Sequence, residues 1–267
     1  MTIYDICVEY RHEPIGIDVK NPRFSWKINS DLVDTLQESY RIRVMQMTPL
    51  NTERGIVWDS GEVISEQSVL VRYEGEELKA RTAYRVEITV KDNHGEEACA
   101  ATSFETGLIH PENMKADWIT HAFPDTETAC PVFTRRFTSD KKVIRARIYA
   151  TALGLYEMSL NGKRVGDAYF TPGWTNYHKR LQYQTYDVTD LVTGLAAAED
   201  VAAADVTATS AAADVAAVPA AAADTTEGNC VWTITAADGW YKGPYGVDST
   251  PNIYGDRIAV LAELHLE

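Results

Sequence analysis

The chain has 267 residues, 25 of them basic and 39 acidic, for a net charge of −14. That length supports one large or two ordinary domains with a real core, and the acidity argues against a nucleic-acid or anionic-membrane partner, since both need a cationic face. No window of about 18 uncharged apolar residues exists to span a bilayer as a helix, and the N-terminus, MTIYDICVEYRHEP, has neither a basic start nor an apolar h-region, so a cytoplasmic location is expected.

Residues 1–108 read as short strands separated by turns. In SYRIRVM, Tyr40, Ile42 and Val44 alternate with Arg41 and Arg43. In AYRVEITVKDNHGE, Tyr84, Val86, Ile88 and Val90 alternate with Arg85, Glu87, Thr89 and Lys91, and an Asp-Asn-His-Gly turn follows. Alternation with one charged face predicts strands covered on one side by a second sheet. Further strands fit PRFSWKI, IVWDSGEV, SVLVRYEG and SFETG. About seven strands in about a hundred residues is the density of a fibronectin III- or immunoglobulin-like sandwich.

Residues 109–267 read as a second β unit, with strands expected at WITH, PVFTRRFT and RARIYATALGLYEMSLNGKRVGD. In YEMSL-NG-KRVGD the Asn161-Gly162 pair favours the positive φ values of a two-residue type I′ hairpin. Tyr156, Met158 and Leu160 then face one way, Glu157 and Ser159 the other. QYQTYDVTDLV, CVWTITAADGWYKG and RIAVLAELHLE supply further strands, and no helical period competes. The fold class expected is all-β: a fibronectin III/immunoglobulin-like sandwich followed by a jelly-roll-like β-sandwich. Residues 195–224, LAAAEDVAAADVTATSAAADVAAVPAAAAD, stand apart, because alanine buries too little area to offset chain ordering. They read as a low-complexity insertion in a surface loop, a short and partly helical excursion being the other reading.

Cys7, Cys99, Cys130 and Cys230 are scattered singly with no CxxC or CxxxH spacing. Four reduced thiols are expected, with no disulfide framework and no zinc site. Glu157, Asp167, Asp187 and Asp238 are acids of the type that general acid catalysis uses. Nothing in their spacing marks a pair, and they read as turn-forming or solvated acids. His121 and His178 lack a GxSxG-type nucleophile nearby.

The stretch PGWTNYHKRLQYQTYDVT carries rings and amide edges together: Trp174, Tyr177, Tyr183 and Tyr186 with Asn176, Gln182 and Gln184. Sugar rings bind by stacking C–H faces on aromatics while amides and carboxylates hold the hydroxyls. The same rings also serve to close a sandwich, and period two places Tyr183 opposite its two flanking glutamines. Wall is the reading preferred for Trp174 and Tyr186. Sugar contact is expected instead on loop tips, at Asn161 in the hairpin turn and at Asp238, Trp240 and Tyr241 in the DGWY turn. The rival for Asn161 is that it is there for turn geometry alone.

Long ordered strings of this chain resemble bacterial α-L-rhamnosidases of glycoside hydrolase family 78. ALGLYEMSLNGKRVGDAYFTPGWTNYHKRLQYQTYDVTDL, ADGWYKG and IYGDRIAVLAELHLE resemble the N-terminal sandwich module. EPIGIDVKNPRFSWKI, VWDSGEV, TAYRVEITVKDNHGE and SFETGLI resemble the fibronectin-like domain that opens those enzymes. The resemblance implies hydrolysis with inversion in an (α/α)6 barrel further towards the C-terminus, by two widely spaced carboxylates. The chain ends at Glu267 in an apparent strand, so no catalytic residue is carried over, and the chain alone is expected to be inactive. The implied partners are rhamnose-containing glycosides and the missing C-terminal barrel. In one type of family-78 enzyme this sandwich binds rhamnose with calcium through an Asp-Asn pair near the hairpin and an amide before Gly-Trp-Tyr. Here Asn161 matches, but Leu160 replaces the acid and Asp238 takes the amide position. Losing an oxygen ligand weakens a hard-cation site, so no cofactor is expected. The function implied is the non-catalytic N-terminal region of an α-L-rhamnosidase, scaffolding the barrel and helping to recognise rhamnosides. An autonomous carbohydrate-binding module and a structural or adhesive pair of β-sandwiches are the alternatives.

Overall fold

The structure, a computed structural model, describes residues 1–123, 129–194, 229–244 and 246–267. The alanine-rich stretch 195–224 therefore lies outside the described residues. The chain divides into two compact units, Met1–Lys115 and Ala116–Glu267. The first runs past residue 108 because its tail is tied back to it. Arg81 Nη2 donates to the carbonyl of Asn113 at 2.5 Å, and Asn113 Nδ2 donates to the carbonyl of Leu108 at 2.8 Å.

The first unit contains β1 (Thr2–Val8), β2 (Arg23–Asn29), β3 (Gln37–Met47), β4 (Glu53–Asp59), β5 (Val63–Ile64), β6 (Val71–Arg72), β7 (Ala83–Asp92) and β8 (Glu97–Glu105). One sheet has the order β1-β2-β6; the other has β4-β3-β7-β8, with β5 paired to β3. The alternation seen in the sequence holds: Ile42, Val44, Val86, Ile88 and Val90 are fully buried, while Arg41 turns outward to pair with Asp59. Phe24, Trp26, Tyr40, Tyr73, Tyr84 and Phe104 dominate the core between the sheets. Trp26 stands edge-on to Tyr40 and donates Nε1–H to Gln37 Oε1 at 2.9 Å. That contact satisfies the polar handle that burying a tryptophan creates. All four cysteines of the chain carry free thiols, so ring packing stabilises this sandwich without a disulfide.

The strand the sequence did not announce is β1. Its pairing with β2 steps from Tyr4↔Lys27 to Cys7↔Ser25, which leaves one extra residue on β1, and Asp5 there has φ 51°. Before this bulge Ile3 packs on the core; after it Ile6 and Val8 do. The change of parity conceals the strand from a period-two reading.

The second unit contains β9 (Val132–Thr138), β10 (Ala146–Leu153), β11 (Leu155–Leu160), β12 (Lys163–Arg164), β13 (Gln184–Asp187), β14 (Asn229–Ala237) and β15 (Ala259–Leu266), with single-turn helices α1 (Thr189–Thr193) and α2 (Gly239–Lys242). Its sheets have the orders β13-β10-β15 and β12-β11-β14-β9, all antiparallel. Ile148, Ala150 and Ala152 of one sheet share a core with Tyr156, Met158 and Leu160 of the other. This is a β-sandwich. A jelly roll is a particular eight-strand path of two Greek keys, and the described strands form sheets of three and four. The segment expected as a strand at WITH makes only a bridge, Ile119 to Val260. The Asn161-Gly162 turn has φ 54° and 77°, the type I′ hairpin that the dipeptide predicts.

Candidate functional site

The DGWY segment leaves β14 as a single helical turn rather than an open loop. Gly239 permits it: its φ is 52°, and a Cβ there would run into the side chain of Leu155 on the adjoining strand. The turn projects Trp240 and Tyr241 towards two other segments. Trp240 meets Phe170 edge-on, with centroids 6.0 Å apart. Tyr241 meets Tyr177 at 5.3 Å, Tyr177 meets Tyr254 at 5.0 Å, and Tyr254 meets His178 at 5.4 Å. The N–H of Asn252 donates to the carbonyl of Lys242 at 2.8 Å and holds the Tyr254 segment against α2. Asp238 is half-exposed, with a carboxylate oxygen 3.6 Å from Lys242 Nζ. Burial, and after it the neighbouring Tyr254, raises the Tyr177 pKa and keeps the phenol neutral as a donor.

Asn161 lies elsewhere. β11 pairs with β14 from Leu155↔Ala237 to Leu160↔Trp232, so Asp238 follows one end of this ladder and Asn161 the other. At the strand rise that separation is roughly 20 Å. The Asn161 amide is occupied within the protein: Oδ1 accepts from the N–H of Val231 at 2.9 Å, and Nδ2 donates to the carbonyl of Leu191 at 2.9 Å. The structure thus gathers Asp238, Trp240 and Tyr241 on one helical turn and leaves Asn161 out. Asn161 locks the hairpin to β14 and α1.

The aromatic stretch divides by residue. Tyr177 is buried, and the Tyr186 hydroxyl lies 3.1 Å from that of the buried Tyr156. Tyr156 donates to Gln184 Oε1 at 2.6 Å, and Gln184 Nε2 donates to the carbonyl of Pro172 at 3.0 Å. Burial raises the Tyr156 pKa well beyond the ordinary phenol range. These groups form wall. Trp174 is 50% exposed and Phe170 65%, so the accessible rings flank the Pro172-Gly173 turn. Phe170 and Tyr169 lie just before the PGWTNYHKRLQYQTYDVT stretch; the run YFTPGW, with large rings on both sides of a Pro-Gly turn, is the sequence signal for them.

Of the other acids, Asp167 is exposed, and Glu157 and Asp187 are engaged locally. Glu157 Oε1 lies 3.4 Å from Arg164, and Asp187 lies 2.7 Å from Arg147 while accepting from Thr189. His121 is buried and stacked on Phe123 at 4.0 Å. None of these contacts sets two carboxylates across a cleft, as glycoside hydrolysis requires.

Comparison with known proteins agrees with both units. Residues 3–110 match the family model described as Rha78A-like, N-terminal immunoglobulin domain, and residues 141–215 match that of the alpha-L-rhamnosidase N-terminal domain. An alpha-L-rhamnosidase of Formosa agariphila is 31% identical over 210 residues, covering 69% of this chain and 22% of that protein. One of Alteromonas sp. is 34% identical over 200 residues, covering 67% of this chain and 21% of that protein. The crystal structure of the native rhamnosidase of Aspergillus terreus superposes with a TM-score of 0.76 at 28% identity, over 99% of this chain and 27% of that one. The chain therefore spans about a fifth of the length of these curated relatives.

Proposed function

We propose that this chain, which belongs through both of its domains to the N-terminal region of the α-L-rhamnosidases, scaffolds a rhamnosidase catalytic barrel and performs no hydrolysis itself. The observation that carries the reading is the exposed aromatic run of the second domain. Tyr169, Phe170 and Trp174 are 69%, 65% and 50% exposed within six residues of sequence, beside Trp240. Large rings left in water at one place mark a surface meant to be covered. An antiparallel sandwich presents them rigidly, because their backbone is pinned through Gln184 and the Tyr156 to Thr171 contacts beneath.

The Asp238–Tyr241 turn favours a second reading, direct recognition of a rhamnoside. A ring can stack on a sugar face while the half-exposed Asp238 carboxylate accepts a hydroxyl proton in a charge-assisted bond. Two measurements separate the readings. Mixing the chain with a rhamnosidase barrel stripped of its own N-terminal region should give a complex that Phe170→Asp weakens at least tenfold. L-rhamnose titrated against the chain alone, with D-glucose as control, should give no saturable response. Saturable binding lost in Asp238→Ala, together with no complex, would replace scaffolding by sugar recognition.

A further inference from the structure

We propose that the first domain holds a zinc ion between Asp5, Cys7 and His12. Among the described residues these three bring one ligand atom each within 4.8 Å of the others. His12 Nε2 lies 3.2 Å from Asp5 Oδ1. Cys7 Sγ lies 3.9 Å from that same oxygen and 3.9 Å from that same nitrogen. A tetrahedral zinc with bonds of about 2.3 Å to sulfur and about 2.0–2.1 Å to nitrogen and oxygen needs about 3.3 Å between N and O, and about 3.6 Å from sulfur to each. The three distances differ from this by a few tenths of an ångström, and because Cys7 Sγ also lies 3.8 Å from Nδ1, the imidazole ring must turn to aim Nε2 at the ion. His12 and Asp5 are 67% and 31% exposed and free to make that adjustment.

The surrounding contacts orient the ligands. His12 Nδ1 lies 3.2 Å from the carbonyl of Ile6, a contact that in the Nδ1–H tautomer orients the ring and leaves Nε2 as the ligand atom. Lys27 takes one Asp5 carboxylate oxygen, Oδ2, at 2.6 Å and leaves Oδ1 to the ion. The bulge at Asp5 supplies the thiol: with Ile3 on the core side, a regular strand would turn Cys7 inward too. The extra residue turns it out beside Asp5. Reciprocal backbone bonds between Val8 and Arg11 fold the chain back, and Glu9 gripped by Arg23 at 3.0 and 2.7 Å fixes that turn, returning His12 over the strand.

Asp5 and His12 also line an open cleft of about 320 Å³ between β1 and β8, so the fourth position on zinc opens towards it and takes a water or a small anion. The Asp-x-Cys-x4-His spacing is neither CxxC nor CxxxH, and it becomes a site only through the bulge and the turn. Binding releases the Cys7 thiol proton and forms a thiolate–metal bond without change of oxidation state.

Competition of the full chain against a chromophoric chelator measures zinc affinity, and Co²⁺ substitution reports sulfur ligation through a near-ultraviolet thiolate-to-cobalt band. We expect one zinc per chain, the cobalt band in wild type and in Cys99→Ser/Cys130→Ser, loss of the band in Cys7→Ser, and at least tenfold weaker zinc binding in Cys7→Ser and His12→Ala. Circular dichroism of each variant, whose altered side chains are not core residues, verifies folding. A band that persists in Cys7→Ser, or zinc affinity unchanged in folded His12→Ala, overturns the assignment.

Discussion

Replacing Asn161 distinguishes a residue that holds a turn from one that holds a sugar. Its φ of 54° is left-handed, and its amide makes two hydrogen bonds, to Val231 N–H and the Leu191 carbonyl. At about 1 kcal/mol for each net bond, Asn161→Gly should cost roughly 2 kcal/mol, because glycine keeps the backbone conformation and loses only the amide. Asn161→Ala loses the amide and with it the polar side chain that makes asparagine tolerant of the left-handed region, which adds about 1 kcal/mol, roughly 3 kcal/mol in all. For a domain of this size about 1 kcal/mol lowers Tm by about 2–4 °C, so alanine should shift the transition by about 6–12 °C and glycine by about two thirds of that. Differential scanning calorimetry reads this directly, with the transition of the first domain as an unmoved internal reference. An Asn161→Ala transition within about 1 °C of wild type would refute the structural role.

Tyr156→Phe should destabilise the second domain by about 2 kcal/mol, because it strips the donor from the Gln184 oxygen, and chemical denaturation checks this. The Tyr73 phenol of the first domain is pushed up to about 12 by burial first and then by Tyr84 and Glu76. A pKa raised by folding gives stability that is complete below the ordinary phenol value of about 10 and lost above it. The first-domain Tm should therefore fall between pH 10 and 12, and less steeply in Tyr73→Phe. Gly255→Ala places a methyl group against the Tyr241 hydroxyl, so it should displace that ring and disturb the Tyr177–Tyr241 contact, seen as altered near-ultraviolet circular dichroism with the strand content unchanged. Purified chain should show no turnover of an aryl α-L-rhamnoside, and activity that co-purifies and disappears with Glu157→Gln would reverse this.

The strands were legible wherever one face of a strand is core and the other is water. Tyr40-Ile42-Val44 and Tyr84-Val86-Ile88-Val90 declare themselves because burial selects every second side chain. Asn161-Gly162 declared its hairpin because few residues tolerate two successive positive φ values. These are local constraints, and sequence alone determined them, along with the order of the two sandwiches. Position along a ladder is not local. The sequence presented Asn161 and the Asp238–Tyr241 turn as candidates for one site, but the β11–β14 register puts them at opposite ends. Phe170 and Tyr177 are distant in sequence from α2, and only the packing of their segment against α2 and Tyr254 gathers them there. The strand β1 was missed for a related reason: one extra residue at Asp5 reverses the inward parity, and a period-two pattern that changes phase after three or four residues has no signal left to average. Alternation and turn chemistry arise from neighbours in the chain, whereas sites arise from which strand ends meet, and that is decided by register and core packing.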